Sequence, residues 1–157
     1  MSKKPVSFDK ALSKLQMFCS YRERCHLEVR LKLWDLGIYE EERDAIISKL
    51  IEDDFLNEMR YAIAYVGGKF RTKGWGKIRI VTELKKNKIS DYCIKKAIQT
   101  EMPEKVYQEK LHHVLRKKAG TLKETSSYIR NQKLVRFALY KGFEIDQIYR
   151  MLNENQY

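Results

Sequence analysis

The sequence repeats itself. Shifting it by 51 residues lays Gly37 and Ile38 on Lys88 and Ile89, Val29 and Leu33 on Ile80 and Leu84, Ile46 and Ile47 on Ala97 and Ile98, and Ala11 on Ala62. A further 54 residues brings the register to Gly142 and Phe143, with Leu134 and Ala138 standing for Val29 and Leu33, and Met151 and Leu152 for Ile46 and Ile47. Amphipathic helices show some self-similarity by chance, so the weight falls on a sharper coincidence. A glycine follows the second helix in the first and third copies, and an apolar pair stands at the same distance beyond it. A repeat of this length is a helical unit that buries part of its apolar face against the next, giving an elongated, curved array with a long surface for a partner.

Each copy reads as three helices. In the first, Ser7 is placed to cap FDKALSKLQMF, whose Phe8, Leu12, Leu15 and Cys19 share a face. The second helix runs from about His26 to Leu36, with Val29, Leu33 and Leu36 in one stripe and Leu27, Leu31 and Trp34 in an adjacent one. That wide arc predicts a helix packed between two others. Gly37 then ends it as a left-handed residue. EEERDAIISKLI opens on three acids, which the positive end of a helix dipole favours, and offers Ile46, Ile47, Leu50 and Ile51 for burial. The units are expected over residues 8–55, 56–103 and 104–157, behind a loose tail of residues 1–7. Pro103 marks the second seam, and GTLKETSS lengthens the third copy between its first two helices.

Charge is distributed unevenly. The chain carries a formal charge of +11, which draws polyanions, acidic protein surfaces and anionic membranes alike. From Lys69 to Lys96 there are ten Lys or Arg against Glu83 and Asp91. The block follows NEMRYAIAYV, a helix start capped by Asn57, on which Tyr61, Ala62, Tyr65 and Val66 share a face. Lys85, Lys86, Lys95 and Lys96 read equally well as solvated helix surface. Lys69, Arg71, Lys73, Lys77 and Arg79 flank a turn and a helix start with Gly76 as cap, where backbone N–H groups also attract anions. Trp75, between two glycines, either stacks on a partner or folds back onto the core.

Several classes are disfavoured. No apolar run approaches the roughly 20 residues of a membrane span, and no apolar signal core follows the N-terminal lysines, so a cytosolic protein is expected. Cys19, Cys25 and Cys93 fit neither a disulfide framework nor a zinc pattern and read as buried thiols. His26, His112 and His113 are too scattered for a triad, and Glu52, Asp53 and Asp54 read as acids near a helix start rather than a metal site. With no phosphate loop or dinucleotide fingerprint, neither enzyme activity nor a cofactor is expected.

At these residues the chain resembles the RecX family, bacterial regulators of the RecA recombinase. The likeness is carried by DDFLNEMRYAIAYVGGKF, RTKGWGKIRI, VTELKKNKIS and DYCIKKAI in the middle, by Arg22, Arg24, Glu28 and Val29 at the first copy's second helix, and by KLVRFALYKGFEIDQIYRML at the end. Two positions depart from the family pattern. Cys25 stands where a capping serine is usual, leaving Ser20 as an alternative cap, and Lys88 stands where glycine is frequent, so either Asn87 or Lys88 must make the turn. The resemblance implies an all-α, non-enzymatic monomer of three tandem three-helix repeats. Such a protein lies along a RecA filament on single- or double-stranded DNA, without regard to base sequence, and restrains strand exchange and ATP hydrolysis. The binding surface would comprise Lys69, Arg71, Lys73, Trp75, Lys77, Arg79, Lys85 and Lys86, with Arg22 and Arg24. The residues also allow a stand-alone DNA-binding protein that sets Lys77 to Asn87 in a groove.

Overall fold

The computed structural model describes Lys4 and residues 6–157. Residues 1–3 and 5, most of the expected tail, lie outside the described residues. The rest is helical: α1 (Phe8–Tyr21), α2 (His26–Asp35), α3 (Glu40–Glu52), α4 (Glu58–Gly68), a π-helical turn (Lys69–Lys73), α5 (Lys77–Lys86), α6 (Asp91–Glu101), α7 (Glu104–Ala119), α8 (Ser127–Lys141) and α9 (Ile145–Glu154). Side-chain caps start four of them. Ser7 accepts from Lys10 N–H at 3.4 Å, Asn57 from Arg60 N–H at 2.9 Å, Ser90 from Cys93 N–H at 3.3 Å and Ser126 from Ile129 N–H at 3.5 Å.

The repeat is written into the backbone. Gly37, Lys88 and Gly142, the three aligned residues after α2, α5 and α8, all adopt left-handed φ, at 73°, 61° and 98°. At each, the next residue donates its N–H back five places: Ile38 to Leu33, Ile89 to Leu84 and Phe143 to Ala138, all at 3.1 Å. These are Schellman stops, which tie off the last helical carbonyls and drive the following apolar side chain inward. Ile38, Ile89 and Phe143 are accordingly buried. Lys88 makes its turn itself, with a Cβ that glycine would not carry.

The copies do not build three equal cores. Ala11, Leu15 and Cys19 of α1 pack with Val29, Leu33, Ile46, Ile47, Leu50 and Leu56 in a first core. The buried apolar residues of the core from Tyr61 to Ile148 belong to a second, which runs without a break past Pro103, itself the N-cap of α7. At its centre Tyr107 packs on Phe70 and Phe143, with ring centroids 6.1 and 5.3 Å apart.

The first unit reaches this core through the start of α2. Cys25 is fully buried in the second core, with Leu27 packed beside it. Glu28 caps α2 by accepting the Cys25 N–H at 2.9 Å, whereas Ser20 donates to Gln16 O at 2.7 Å and takes no part. Across the same seam Arg60 bonds Glu23 at 2.6 Å.

Three expected faces differ from the sequence pattern. Phe8 and Ile51 are 36% and 46% exposed, and on α1 the fully buried position beside Leu15 is taken by Ala11, with Leu12 packed partly buried against the same core. Leu31 and Trp34 are 57% and 66% exposed. Among the described residues no helix packs over that side of α2, so its wide apolar arc is only half used. Trp34 is met there by the Arg43 guanidinium, 4.6 Å from its ring.

Candidate functional site

The basic block folds around the π-helical turn and the start of α5. Gly74 adopts φ 65° and closes the turn, and Gly76 caps α5. The cap does not leave an anion site. Gly76 N–H donates to Lys141 O at 2.8 Å, Ile78 N–H to Gly142 O at 3.0 Å, and Lys77 N–H to the Tyr107 hydroxyl at 3.2 Å. The start of α5 therefore sits head to tail on the end of α8, each dipole satisfying the other. The expectation that these N–H groups attract anions is overturned, because the chain itself supplies their acceptors.

Burial raises the Tyr107 hydroxyl well above its usual range, and the bond it donates to Glu144 Oε2 at 2.5 Å raises it further. It stays a neutral donor at the joint. Two glycines make the approach possible. A Cβ at Gly76 would lie 2.4 Å from Gly142 backbone atoms, and one at Gly142 would lie 2.4 Å from Arg79 Cβ.

Trp75 folds back. It is partly buried against the second core, with Lys69 Nζ 4.9 Å and Arg79 Cζ 4.0 Å from its ring. Lys69 also lies 5.5 Å from the Tyr65 ring and Arg79 4.9 Å from that of Tyr140. A ladder of alternating rings and cations, Tyr65, Lys69, Trp75, Arg79 and Tyr140, thus crosses from α4 to α8. Each step contributes about 0.5–1 kcal/mol where it is exposed. A stacked guanidinium keeps its in-plane donors, one of which reaches Tyr140 O at 3.4 Å.

The remaining expected residues divide by what they touch. Arg71 pairs with Glu101 at 2.6 Å, Lys77 with Glu104 at 3.8 Å and Lys86 with Glu83 at 3.2 Å. Lys73 and Lys85 stand exposed. On the first unit, Arg22 bonds Glu28 at 2.5 Å, and the Arg24 guanidinium covers the Phe18 ring at 3.8 Å while bonding Phe18 O at 2.9 Å. Arg24 is 11% exposed at its side chain and acts as a structural clamp. Arg22 lines a cleft together with Tyr65 and Lys69, at the α4 end of the ladder, whereas Arg24 is turned onto Phe18.

The fold adds cations that the local charge run does not contain. Lys110, Lys117, Lys118 and Lys141, from α7 and α8, surround Arg71 and Lys73 at the end of the π-helical turn. The signal that could have found them is the charge of whole units. Residues 8–56 hold eight Lys or Arg against eleven Asp or Glu, and residues 57–157 hold twenty-two against ten. The array is acidic at one end and strongly basic over the rest. Among the described residues, no helix is long and apolar enough to cross a membrane.

Comparison with known proteins agrees with this architecture. Family models for the second and third three-helix domains of RecX match residues 57–98 and 105–152. The regulatory protein RecX of Pseudomonas savastanoi pv. phaseolicola is 32% identical over 133 residues, covering 84% of this chain and 83% of that protein. That of Clostridium perfringens strain SM101 is 31% identical, and the match spans 62% of its length. The crystal structure of RecX from Lactobacillus salivarius superposes with a TM-score of 0.83 at 30% identity, covering 94% of this chain and 95% of that one. Shared helices, shared register and identity across most of both chains place this protein in the RecX family of regulatory proteins.

Proposed function

We propose that this protein binds the filament that the RecA recombinase forms on DNA and restrains its strand exchange and ATP hydrolysis. The observation that carries the reading is the segregation of charge along the array. The second and third units share one core and one basic surface, while the first unit is acidic. A body of this kind can meet DNA phosphates with one part and set a differently charged part against protein. The joint between α5 and α8 would hold the basic part as one rigid piece.

A groove-reading role for α5 fits less well. Its first turn is covered by α8 and Tyr107, which removes the end of a recognition helix that meets base edges in helix-turn-helix proteins.

The test is DNA-stimulated ATP hydrolysis by the recombinase of the same organism, with this protein added well below one per recombinase subunit. Suppression is expected, and Lys73→Ala with Lys85→Ala and Lys86→Ala should relieve it. No suppression by the native protein at any ratio would refute the reading.

A further inference from the structure

The structure assigns the cleft between the π-helical turn, α7 and the end of α8 as the seat of one nucleic-acid strand, held by its consecutive phosphates. The assignment rests on the reading that this protein meets DNA. The cleft has a volume of about 460 Å³. Six cations line it: Arg71, Lys73, Lys110, Lys117, Lys118 and Lys141, with no carboxylate among the lining residues. It is the size of an ordinary ligand pocket, so it accepts a few nucleotides of one backbone and cannot enclose a duplex.

Two of the lysines build the walls. Lys110 Nζ donates to Arg71 O at 3.1 Å, and Lys141 Nζ to Lys73 O at 3.0 Å. They satisfy carbonyls of the π-helical turn, which would otherwise face the cleft as acceptors and repel an anion. The wall between them is apolar, from Val114 and Phe137, and Lys118 and Lys141 lie 4.9 and 5.5 Å from the Phe137 ring. Against such a wall, lysine–phosphate attraction is less screened than on an open helix face. Lys73 and Lys117 remain exposed at the mouth, free to meet phosphate. No base edge is contacted, so binding should be indifferent to sequence.

The experiment is fluorescence anisotropy of a labelled oligothymidylate over a salt series, without any recombinase. It compares the native protein with two triple variants of equal charge loss. One removes cleft lysines (Lys73→Gln, Lys117→Gln, Lys118→Gln), and the other removes exposed lysines outside the cleft (Lys95→Gln, Lys96→Gln, Lys105→Gln). The cleft triple should weaken binding at least about tenfold and lower the salt slope by about two, since each single-strand phosphate contact contributes about 0.7. The outer triple should change affinity less than about threefold.

Equal losses from both triples, or none from the cleft triple, would overturn the assignment. Because Lys118 also touches Phe137, Lys117→Glu alone serves as a second variant on an exposed side chain, and an unchanged affinity there overturns it too. Tripolyphosphate separates the phosphate sources. Displacement of the oligonucleotide only at millimolar concentration supports a strand, and displacement at the oligonucleotide's own concentration would make a free polyphosphate the ligand and overturn it. Loss of the recombinase effect of the native protein bears on the filament reading alone.

Discussion

Replacing Gly76 with alanine should break the joint that unites the last two units. The added Cβ would lie 2.4 Å from the carbonyl carbon and oxygen of Gly142 and from Phe143 N, where ordinary contact begins at 3.4 Å. These are backbone atoms and cannot rotate away, so α5 and α8 must separate. Separation breaks the bonds from Gly76 N–H to Lys141 O and from Ile78 N–H to Gly142 O. A buried polar group left unpaired costs about 1–3 kcal/mol, so the total should be about 3–5 kcal/mol. With a urea dependence of about 1–3 kcal/mol per molar, the midpoint should fall by about 2 M. The free buried cysteines locate the loss, because Cys19 lies in the first core, Cys93 in the second and Cys25 at the seam between them. Pulsed thiol alkylation along a urea series, read by mass spectrometry, should show Cys93 and Cys25 exposed at lower urea in the variant. Cys19 should move much less. An unmoved midpoint at Cys93 would refute the steric argument, and equal shifts at all three would refute the division into two cores.

Three further outcomes are expected. Lys88→Gly should raise stability by about 0.5–1 kcal/mol, because it removes a Cβ from a φ of 61°, and thermal melting checks it. Trp75→Ala should lower stability by about 2–3 kcal/mol through lost packing and the loss of two ladder contacts, visible as a lower urea midpoint with little change in slope. Stability should also fall above about pH 10, where an unfolded tyrosine ionises while Tyr107 keeps its proton. Its raised folded value makes the contribution complete below that pH and progressively lost above it. Tyr157, pushed up to about 12 by burial, adds to the same slope, so Tyr107→Phe should make denaturation curves taken from pH 8 to 11 less pH-dependent.

Much of this architecture could be read from the chain, because its stop signals are local. A left-handed residue followed by a buried apolar one is specified within six positions, and Gly37 with Ile38 and Gly142 with Phe143 carry it openly. Lys88 with Ile89 carries it too, and there only the register revealed the turn, since lysine is no left-handed residue by habit. What was not legible depends on distant partners. Leu31 and Trp34 look like core residues by spacing, and whether a third helix covers them is decided by how α1 and α3 dock. The π-helical turn has no periodic signature, and the head-to-tail meeting of α5 with α8 joins residues more than sixty positions apart. The same holds for the cations, since proximity to Lys73 along the chain found Lys77 and Arg79 but not Lys117 or Lys141.

That last point bears on how such a surface can recognise anything. A helix that reads DNA bases needs side chains placed on base edges, and most helix-end anion sites use backbone N–H groups. Here the N–H groups at the start of α5 are bonded to α8 and Tyr107, and Arg79, the side chain on α5 best suited to bidentate base contact, lies stacked between Trp75 and Tyr140. The exposed cations left on α5 are Lys85 and Lys86, and those at the mouth of the cleft are lysines as well. Lysine is a flexible point charge that meets phosphate without geometric demand. If this surface meets DNA as proposed, it would bind backbone rather than sequence, with an affinity resting on counterion release that weakens steeply with salt. The packing that closes the α5 terminus therefore narrows the recognition that the proposed reading allows: on that reading the basic face would attach wherever a polyphosphate strand is presented, and selectivity would have to come from the acidic first unit of the array.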